Sequence, residues 1–357
     1  ATSHTIVVEK STLPVRTAEV IKEILQSKKG FKSQDKEAST FEVLSNPEFL
    51  AEGTAIHDLE NPDRVLIGGE DSDAIEALTN IYKNWVSPNK ILQTNIWSSE
   101  LAKLTSNAFL AQRVSSINSV GALCEATGAD VREVAKAIGF DSRIGSKFLD
   151  AGPGFGGSCF KKDILNLVYL SDYFGLKEVA DFWNSVVIFN TWHQHRISRL
   201  ITKKLFGTLS GKKIVILGFA FKSNTNDTRE SAAIQICKNL IEEGAVLFIH
   251  DPKVNYQQIS KDLNLKPFSL MEKDEKKKLQ NLGGYWDTIS SLKNAFKDTD
   301  AVLVLTEWVD YKKIDWIDAS LKMRKPSWLF DSRSVIDPAQ LENTDINFWR
   351  IGDGLQK

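Results

Sequence analysis

The chain opens on a short apolar run, Thr5-Ile6-Val7-Val8, which reads as a buried strand. Pro14 suits the first turn of a helix running to about Lys28. Residues 27–40 are polar and lysine-rich and read as a solvated loop. Apolar runs at 41–44, 64–67 and 91–94 predict three more strands, with a helical stretch at 71–86. Strands alternating with helices predict an α/β layer with a mainly parallel sheet. The middle of the chain changes period. Leu101, Leu104, Ala108, Ala111, Val114, Ile117, Gly121 and Cys124 fall in steps of three and four, one face of a long helix over 99–127. Asp130 is the expected N-cap of a helix through Ile138. Two further helical stretches are predicted at about 159–173 and 176–205. Strands then return at 213–217, 245–249, 301–305 and 327–330, with a helix at 231–243. Every residue from Glu272 to Lys278 is charged, which reads as a solvated loop insertion.

With 357 residues the chain has room for two or three domains. Apolar residues make up 42% and charged residues 25%, as in soluble globular proteins. A net charge of −1 gives no field favouring nucleic acid or an anionic membrane, and neither is expected as a partner. No apolar run reaches the roughly 20 residues of a membrane helix, and no signal peptide is visible. The three cysteines, Cys124, Cys159 and Cys237, are odd in number and far apart. They suggest neither a disulfide framework nor a CxxC metal site, and they fit a reducing, cytoplasmic setting. The chain begins at Ala1 and enters a strand almost at once. A trimmed chain and simple removal of an initiator Met account for that start equally well.

The densest stretch of candidate chemistry is Gly152-Pro153-Gly154-Phe155-Gly156-Gly157-Ser158-Cys159-Phe160-Lys161-Lys162-Asp163. Gly152, Gly154 and Gly157 match GxGxxG in form, but no strand precedes them, so a dinucleotide fingerprint is rejected. The glycines instead let backbone N–H groups approach a ligand. Cys159 would open the next helix, where the helix dipole and Lys161 or Lys162 favour a thiolate. Asp163 follows one turn later. This pattern fits nucleophilic catalysis and, equally, a buried structural cysteine beside a helix cap. Lys103 and Asn107 lie four apart on one helix face, where such residues are more often ordinary surface groups. Glu48 and Glu52, in Asn46-Pro47-Glu48-Phe49-Leu50-Ala51-Glu52-Gly53, follow a strand end, where open α/β sheets bind ligands; acids at a helix start explain them equally well. Residues 214–222 run from strand into loop with a single glycine, Gly218, a weak nucleotide signal. Lys222 and Arg333 end strand–loop segments, and on their own each reads as a solvated charge. His193 and His195 point to different helix faces, so no metal is expected.

Together these stretches resemble the UDP-glucose/GDP-mannose dehydrogenase family, and its UDP-glucose branch in particular. The resemblance is carried by Val8-Glu9-Lys10-Ser11-Thr12, SNPEFLAEGTAI at 45–56, residues 97–119, FGGSCFKKDILNLVY at 155–169, ILGFAFKSNTNDTRES at 216–231 and Asp251-Pro252-Lys253-Val254. It implies oxidation of UDP-glucose to UDP-glucuronate with two NAD, through a thiohemiacetal and a thioester on Cys159. By position it makes Lys103 the stabiliser of the oxyanion, and Asp163 the acid that works with an ordered water. Glu48 becomes the residue of thioester hydrolysis, Thr12 a neighbour of that water, and Asn107 a sugar contact. It assigns the glucose pocket to Phe148, Leu149 and the backbone of Phe155, Gly156 and Gly157, further substrate contacts to Glu48, Phe49 and Leu50, and the uridine diphosphate to Phe221, Lys222 and Arg333. NAD contacts fall on Ser11, Thr12, Glu52, Cys159, Lys162 and Arg229. Arg143 would reach the substrate of a neighbouring subunit, implying a homo-oligomer, a dimer or an assembly of dimers.

The family begins with a βαβ unit carrying GxGxxG, and that unit is read as missing here. The expected architecture is therefore a remnant of a Rossmann-like domain at 1–96, a central long-helix linker and dimerisation region at 97–206, and a Rossmann-like UDP-sugar-binding domain at 207–357. On that reading the chain binds UDP-glucose and holds NAD weakly or not at all. A non-catalytic UDP-sugar-binding protein is the alternative from another class. The joint presence of Cys159, Lys103, Asp163 and Glu48 weighs against it. A GDP-mannose dehydrogenase shares the chemistry, but FGGSCFKKD and GFAFK fit the UDP-glucose branch better.

Overall fold

The apolar runs fold as strands, and the three-and-four spacings as helices. In a computed structural model, which describes residues 4–12, 15–27 and 40–355, the chain divides into two compact units. The first unit comprises residues 1–109 and 163–183, the second residues 110–162 and 184–357.

The first unit holds β1 Thr5–Glu9, α1 Thr17–Ser27, β2 Phe41–Ser45, α2 Ala55–Glu60, β3 Val65–Gly68, α3 Ser72–Tyr82 and β4 Ile91–Thr94. Its sheet runs β1-β2-β3-β4. β1 pairs with β2 and β3 with β4 in parallel, while β2 meets β3 antiparallel at Ser45 and Gly68. Adjacent strand residues face opposite ways. Leu44 accordingly packs with Ala74 and Leu78 of α3, and Val43 with Ala18 of α1. Asp71 caps α3 by accepting the Ala74 N–H at 2.8 Å. The start of α1 is capped from a distance. Glu100, in the first turns of the long helix α4 Ile96–Thr127, accepts the N–H groups of Arg16 at 2.7 Å and Ala18 at 3.0 Å. Pro14, and residues 28–39 of the expected loop, lie outside the described residues.

Helices α4, α6 Phe160–Tyr173 and α7 Lys177–Lys204 contribute residues to both units. On α4 the apolar stripe is buried at Leu104, Ala108, Ala111, Ile117 and Cys124, while Leu101 stands exposed. α5, Val131–Gly139, is capped by Asp130 through the Arg132 N–H.

The second unit carries β5 Lys213–Leu217, α8 Ala232–Glu242, β6 Val246–His250, α9 Tyr256–Leu263, α10 Lys273–Leu282, β7 Tyr285–Thr288, β8 Ala301–Val304, α11 Trp316–Lys322, β9 Ser327–Asp331 and β10 Ile346–Arg350. Its sheet order is β10-β9-β8-β5-β6-β7, parallel throughout. The chain winds outward from β5 to β7, then returns to β8 on the other side. That reversal sets a topological switch point between β5 and β8, and open α/β sheets bind ligands outside the strand ends there. Residues 214–217 and 301–304 are fully buried, as befits central strands covered on both faces. The charged run at 272–278 corrects the loop expectation, since α10 begins at Lys273. Lys and Glu are good helix formers, and the Glu275 carboxylate accepts the Glu272 N–H at 3.0 Å.

Candidate active site

In the first unit the predicted residues collect at the C-terminal ends of β1 and β2. Parallel pairing brings Glu9 level with Ser45, so the segments starting at Lys10 and Asn46 leave the sheet side by side. Asn46 is buried and ties them together. It donates to the Leu66 carbonyl at 2.7 Å and accepts from the Tyr82 hydroxyl at 2.7 Å and Lys10 Nζ at 3.1 Å. Glu48 folds back to accept the Leu50 N–H at 2.7 Å and faces Lys103 Nζ at 3.6 Å. Lys103 also lies 5.3 Å from the centre of the Phe49 ring. Lys103 and Asn107 are buried, which corrects the surface reading. Their helix face turns inward, where Asn107 donates to Asp163 Oδ2 at 2.6 Å and Asp163 is fully buried. A buried lysine and a buried amide–carboxylate pair are costly unless partnered, and here each has partners. Ser11 and Glu52 are exposed, and Thr12 and Leu50 half-buried.

Glu9 is a residue the motif reading passed over. It is 7% exposed, and burial, then the nearby Glu100, pushes its carboxyl pKa up to about 7. Burial likewise raises that of Glu100.

In the second unit residues 150–158 form an irregular loop that ends at Cys159, immediately before α6. Cys159 is exposed, with the Ser158 hydroxyl 3.5 Å from its sulfur; Cys124 and Cys237 are buried. Gly156 must be glycine for reasons of space, because a Cβ there would lie 2.6 Å from the Glu230 carbonyl. Gly157 N donates to the Arg229 carbonyl at 2.8 Å. The loop is thus laid against the segment that follows β5. Lys161 is committed to Glu230 at 2.8 Å, while Lys162 is exposed. Leu149 is buried, and Phe148, at φ 61, projects outward. Arg143 is 86% exposed in its side chain and pairs with Asp141 at 2.6 Å.

The switch-point crevice holds Phe221, Lys222 and Arg333. Arg333 is no solvated charge. Its Nε donates to the Leu305 carbonyl at 2.9 Å and its Nη2 to the Phe221 carbonyl at 2.8 Å, and Glu307 lies 3.3 Å from Nε. Burial pulls the guanidinium pKa down, and Glu307 and Asp331 oppose that. For Glu307, burial raises the pKa, but the Arg333 charge and the Ser223 N–H outweigh it and leave it lowered. Lys222 Nζ lies over the Phe221 ring, 5.5 Å from its centre. Asp251, after β6, staples the β5 loop by accepting the N–H groups of Phe219 at 2.7 Å and Ala220 at 3.0 Å. Arg229 pairs with Asp227 at 2.7 Å. His193 bonds to Gly152, and His195 to Asn239. Among the described residues no group of His, Cys, Asp and Glu is arranged to hold a metal ion, and no helix is long and apolar enough to cross a membrane.

Two α/β units, one with a buried polar cluster at parallel strand ends and one with a topological switch point beside a glycine loop, are the architecture of a nucleotide-binding α/β protein. The sequence comparisons agree with that class. Three models of one family match in order: the NAD binding domain at 1–86, the central domain at 97–192 and the UDP binding domain at 215–338. The chain belongs to the UDP-glucose/GDP-mannose dehydrogenase family. It is 50% identical over 361 residues to UDP-glucose 6-dehydrogenase of Drosophila melanogaster, covering all of this chain and 73% of that enzyme. It is 48% identical to UDP-glucose 6-dehydrogenase 4 of Arabidopsis thaliana, covering 99% of this chain and 73% of the relative. A solved UDP-glucose dehydrogenase from Pyrobaculum islandicum superposes with a TM-score of 0.79 at 30% identity, covering 99% of this chain and 71% of that one.

The match of the NAD binding domain to residues 1–86 does not support the expectation that the NAD unit is missing. The residues expected to meet that cofactor are accessible at the strand ends. Ser11, Thr12 and Glu52 sit on the two neighbouring segments that leave β1 and β2; Ser11 and Glu52 are exposed and Thr12 is half-buried.

Proposed function

We propose that this chain oxidises UDP-glucose to UDP-glucuronate with two NAD, through a covalent intermediate on Cys159. The observation that carries the reading is the loop at 152–158, a backbone cradle that ends on an exposed thiol at the start of a helix. Identity of 50% with the Drosophila enzyme supports the choice of substrate. Ser11, Thr12, Glu52, Lys162 and Arg229 would hold NAD, which when bound would supply the hydride acceptor for both oxidation steps. Cys159 attacks the C6 aldehyde and carries the sugar first as thiohemiacetal and then as thioester. Lys103, buried and so weakly screened, stabilises the oxyanion. Asp163, oriented by Asn107, moves the proton by way of a water. Glu48, with Thr12, directs water onto the thioester. Phe148, Leu149 and the 155–157 backbone hold the glucose, Glu48, Phe49 and Leu50 make further substrate contacts, and Phe221, Lys222 and Arg333 hold the uridine diphosphate.

The same proposal divides the labour among residues 1–96 for the cofactor, the helical 97–206, and 207–357 for the UDP-sugar. The proposal includes a homo-oligomer, in which Arg143, exposed and paired with Asp141 in this chain, reaches the substrate of a neighbouring subunit. Three free cysteines fit a cytoplasmic setting. Steady-state formation of NADH and UDP-glucuronate tests the function. Cys159→Ala abolishes both while UDP-glucose still binds, because the cradle binds through backbone. Lys103→Ala lowers kcat by roughly a hundred- to a thousandfold, with the loss in kcat rather than KM. Glucuronate formation by Cys159→Ala at the wild-type rate would discard the mechanism. UDP-glucose binding with no turnover in the intact wild-type enzyme would make it a binding protein.

A further inference from the structure

We infer that Asn118, Asn190 and His193 are positioning residues that fix the backbone of the 152–155 loop, and through it Cys159. The inference deepens the function proposed above and rests on it. The three side chains come from two long helices, Asn118 from α4 and the others from α7. Each bonds backbone, not another side chain. Gly152 N donates to Asn118 Oδ1 at 2.8 Å, and His193 Nε2 donates to the Gly152 carbonyl at 2.9 Å. Three residues on, Asn190 repeats the grip: its Oδ1 accepts the Phe155 N–H at 2.9 Å and its Nδ2 donates to the Phe155 carbonyl at 3.1 Å.

The loop lies in no strand or helix, yet Gly152, Pro153, Gly154 and Phe155 are all buried. Buried backbone N–H and C=O groups need partners, and the three side chains replace the ladder a strand would have supplied. They are themselves closely held: Asn118 is 1% exposed, Asn190 8% and His193 0%. Gly154 shows that the fit is steric as well as polar. It sits at φ +127, and a Cβ there would lie 2.7 Å from Asn190 Oδ1. The Gly152 carbonyl can only accept, so His193 must carry its proton on Nε2. Burial, then the charge of Arg196, keeps the imidazole neutral by lowering its pKa to about 4. Cys159 follows Phe155 by four residues, so a loop that drifts carries the thiol with it.

The test is made on the full chain. His193→Leu removes the donor to Gly152, whereas His193→Gln keeps an N–H there. We expect His193→Leu to lower kcat for UDP-glucose by about a hundredfold, the usual cost of small misplacement of a reacting group. The Gln variant should return to near the wild-type kcat. The alkylation rate of Cys159 by iodoacetamide, the exposed thiol of the three, should change in His193→Leu and recover in the Gln variant. Alkylation needs no turnover, so it separates failure of this inference from failure of the proposed reaction. Equal kcat and equal alkylation in wild type and His193→Leu would overturn it, as would a Gln variant no better than Leu. If neither variant folds, amide exchange in the wild-type protein decides. Slow exchange at Gly152 and Phe155, matching the flanking helices, supports the grip; exchange at the rate of exposed loops overturns it.

Discussion

The four-stranded sheet of the first unit, with one antiparallel pair, and the wholly parallel six-stranded sheet of the second bury different things. In the second, β5 and β8 are sealed on both faces, and the core runs continuously from Ile197 to Ile351 through Trp286, Tyr311, Trp316 and Phe330. In the first, β1 is half-exposed until Glu9, β2 is buried only from Val43 onward, and β4 is open along its length. What the first unit buries at its strand ends is polar: Glu9, Ser45 and Asn46, with Glu100 and Lys103 from α4. Burying charge without full compensation lowers stability, and it is also how reactive groups acquire unusual protonation states. The second unit rests instead on a continuous apolar core, with its candidate residues on loops beyond the strand ends. The first buries polar and charged side chains at its strand ends.

The most severe way to probe that contrast is to cut into the larger core. Phe330 is fully buried on β9, with Trp328 stacked at 5.4 Å and Trp349 at 6.2 Å. Phe330→Ala should cost about 3–5 kcal/mol, by lost burial plus the cavity left behind. Hydrogen exchange resolved by peptide should show faster opening through 213–350 and little change in 41–94. Equal loss of protection in both sheets would mean that the two units do not unfold as separate bodies.

How much of this was legible beforehand follows from the same contrast. The central strands of the second sheet read directly, β5 to the residue, because a run apolar on both faces admits few other interpretations. Its edges did not. β7, YWDT, and β10, INFWR, mix polar and apolar residues over four or five positions with neither a continuous apolar run nor a regular alternation, so they do not stand out from a loop. The candidate site was legible where its chemistry is local, as at Cys159 and its glycines. It was hidden where the partners are distant in sequence. Asn118 and His193 meet Gly152 across 34 and 41 residues, and Asn190 meets Phe155 across 35. On a helical pattern they look like ordinary polar positions. The one signal was their spacing: Asn190 and His193 stand three apart, on one face of α7. Lys103 and Asn107 misled for the related reason that amphipathic spacing does not reveal which flank of the stripe is covered.

The second probe concerns Glu9. Its folded pKa of about 7 stands above the model-peptide value of 4.5. A raised acid pKa contributes stability that is fully present below 4.5 and is lost as pH rises through 7. The wild type should therefore lose up to about 3 kcal/mol across that window relative to Glu9→Gln, which keeps a neutral side chain throughout. Urea unfolding of both proteins at pH 5 and pH 8 gives the difference, and other titrating groups cancel in the comparison. Glu9→Gln should gain on the wild type between the two pH values. If the gap between them is the same at both, Glu9 does not titrate in that range, and the polar core of the first unit is less consequential than its burial implies.

The smallest effect falls on a cap. Asp71 accepts the Ala74 N–H at 2.8 Å and opens α3, whose Ala74, Leu78 and Tyr82 line the first unit's core. Removing an N-cap acceptor costs about 1 kcal/mol, partly through the orphaned amide and partly through the lost charge at the helix dipole. Ser231 is the counterpart in the second unit, accepting from Ala233 at 3.3 Å and donating to the Phe219 carbonyl at 2.8 Å. On cap strength alone, Asp71→Ala and Ser231→Ala should destabilise their helices by similar amounts. The consequences should differ. Tyr82, at the far end of α3, hydrogen-bonds Asn46 and so holds the segment that carries Glu48. Fraying α3 should loosen that segment, and Asp71→Ala should raise the exchange rate of the Leu50 amide, which donates to Glu48. Ser231→Ala should leave that amide unchanged, because α8 rests on the large core of the second unit. Were Leu50 protected equally in both variants, the contrast between a core that buries polar groups and an apolar one would not extend to the scale of a single helix cap.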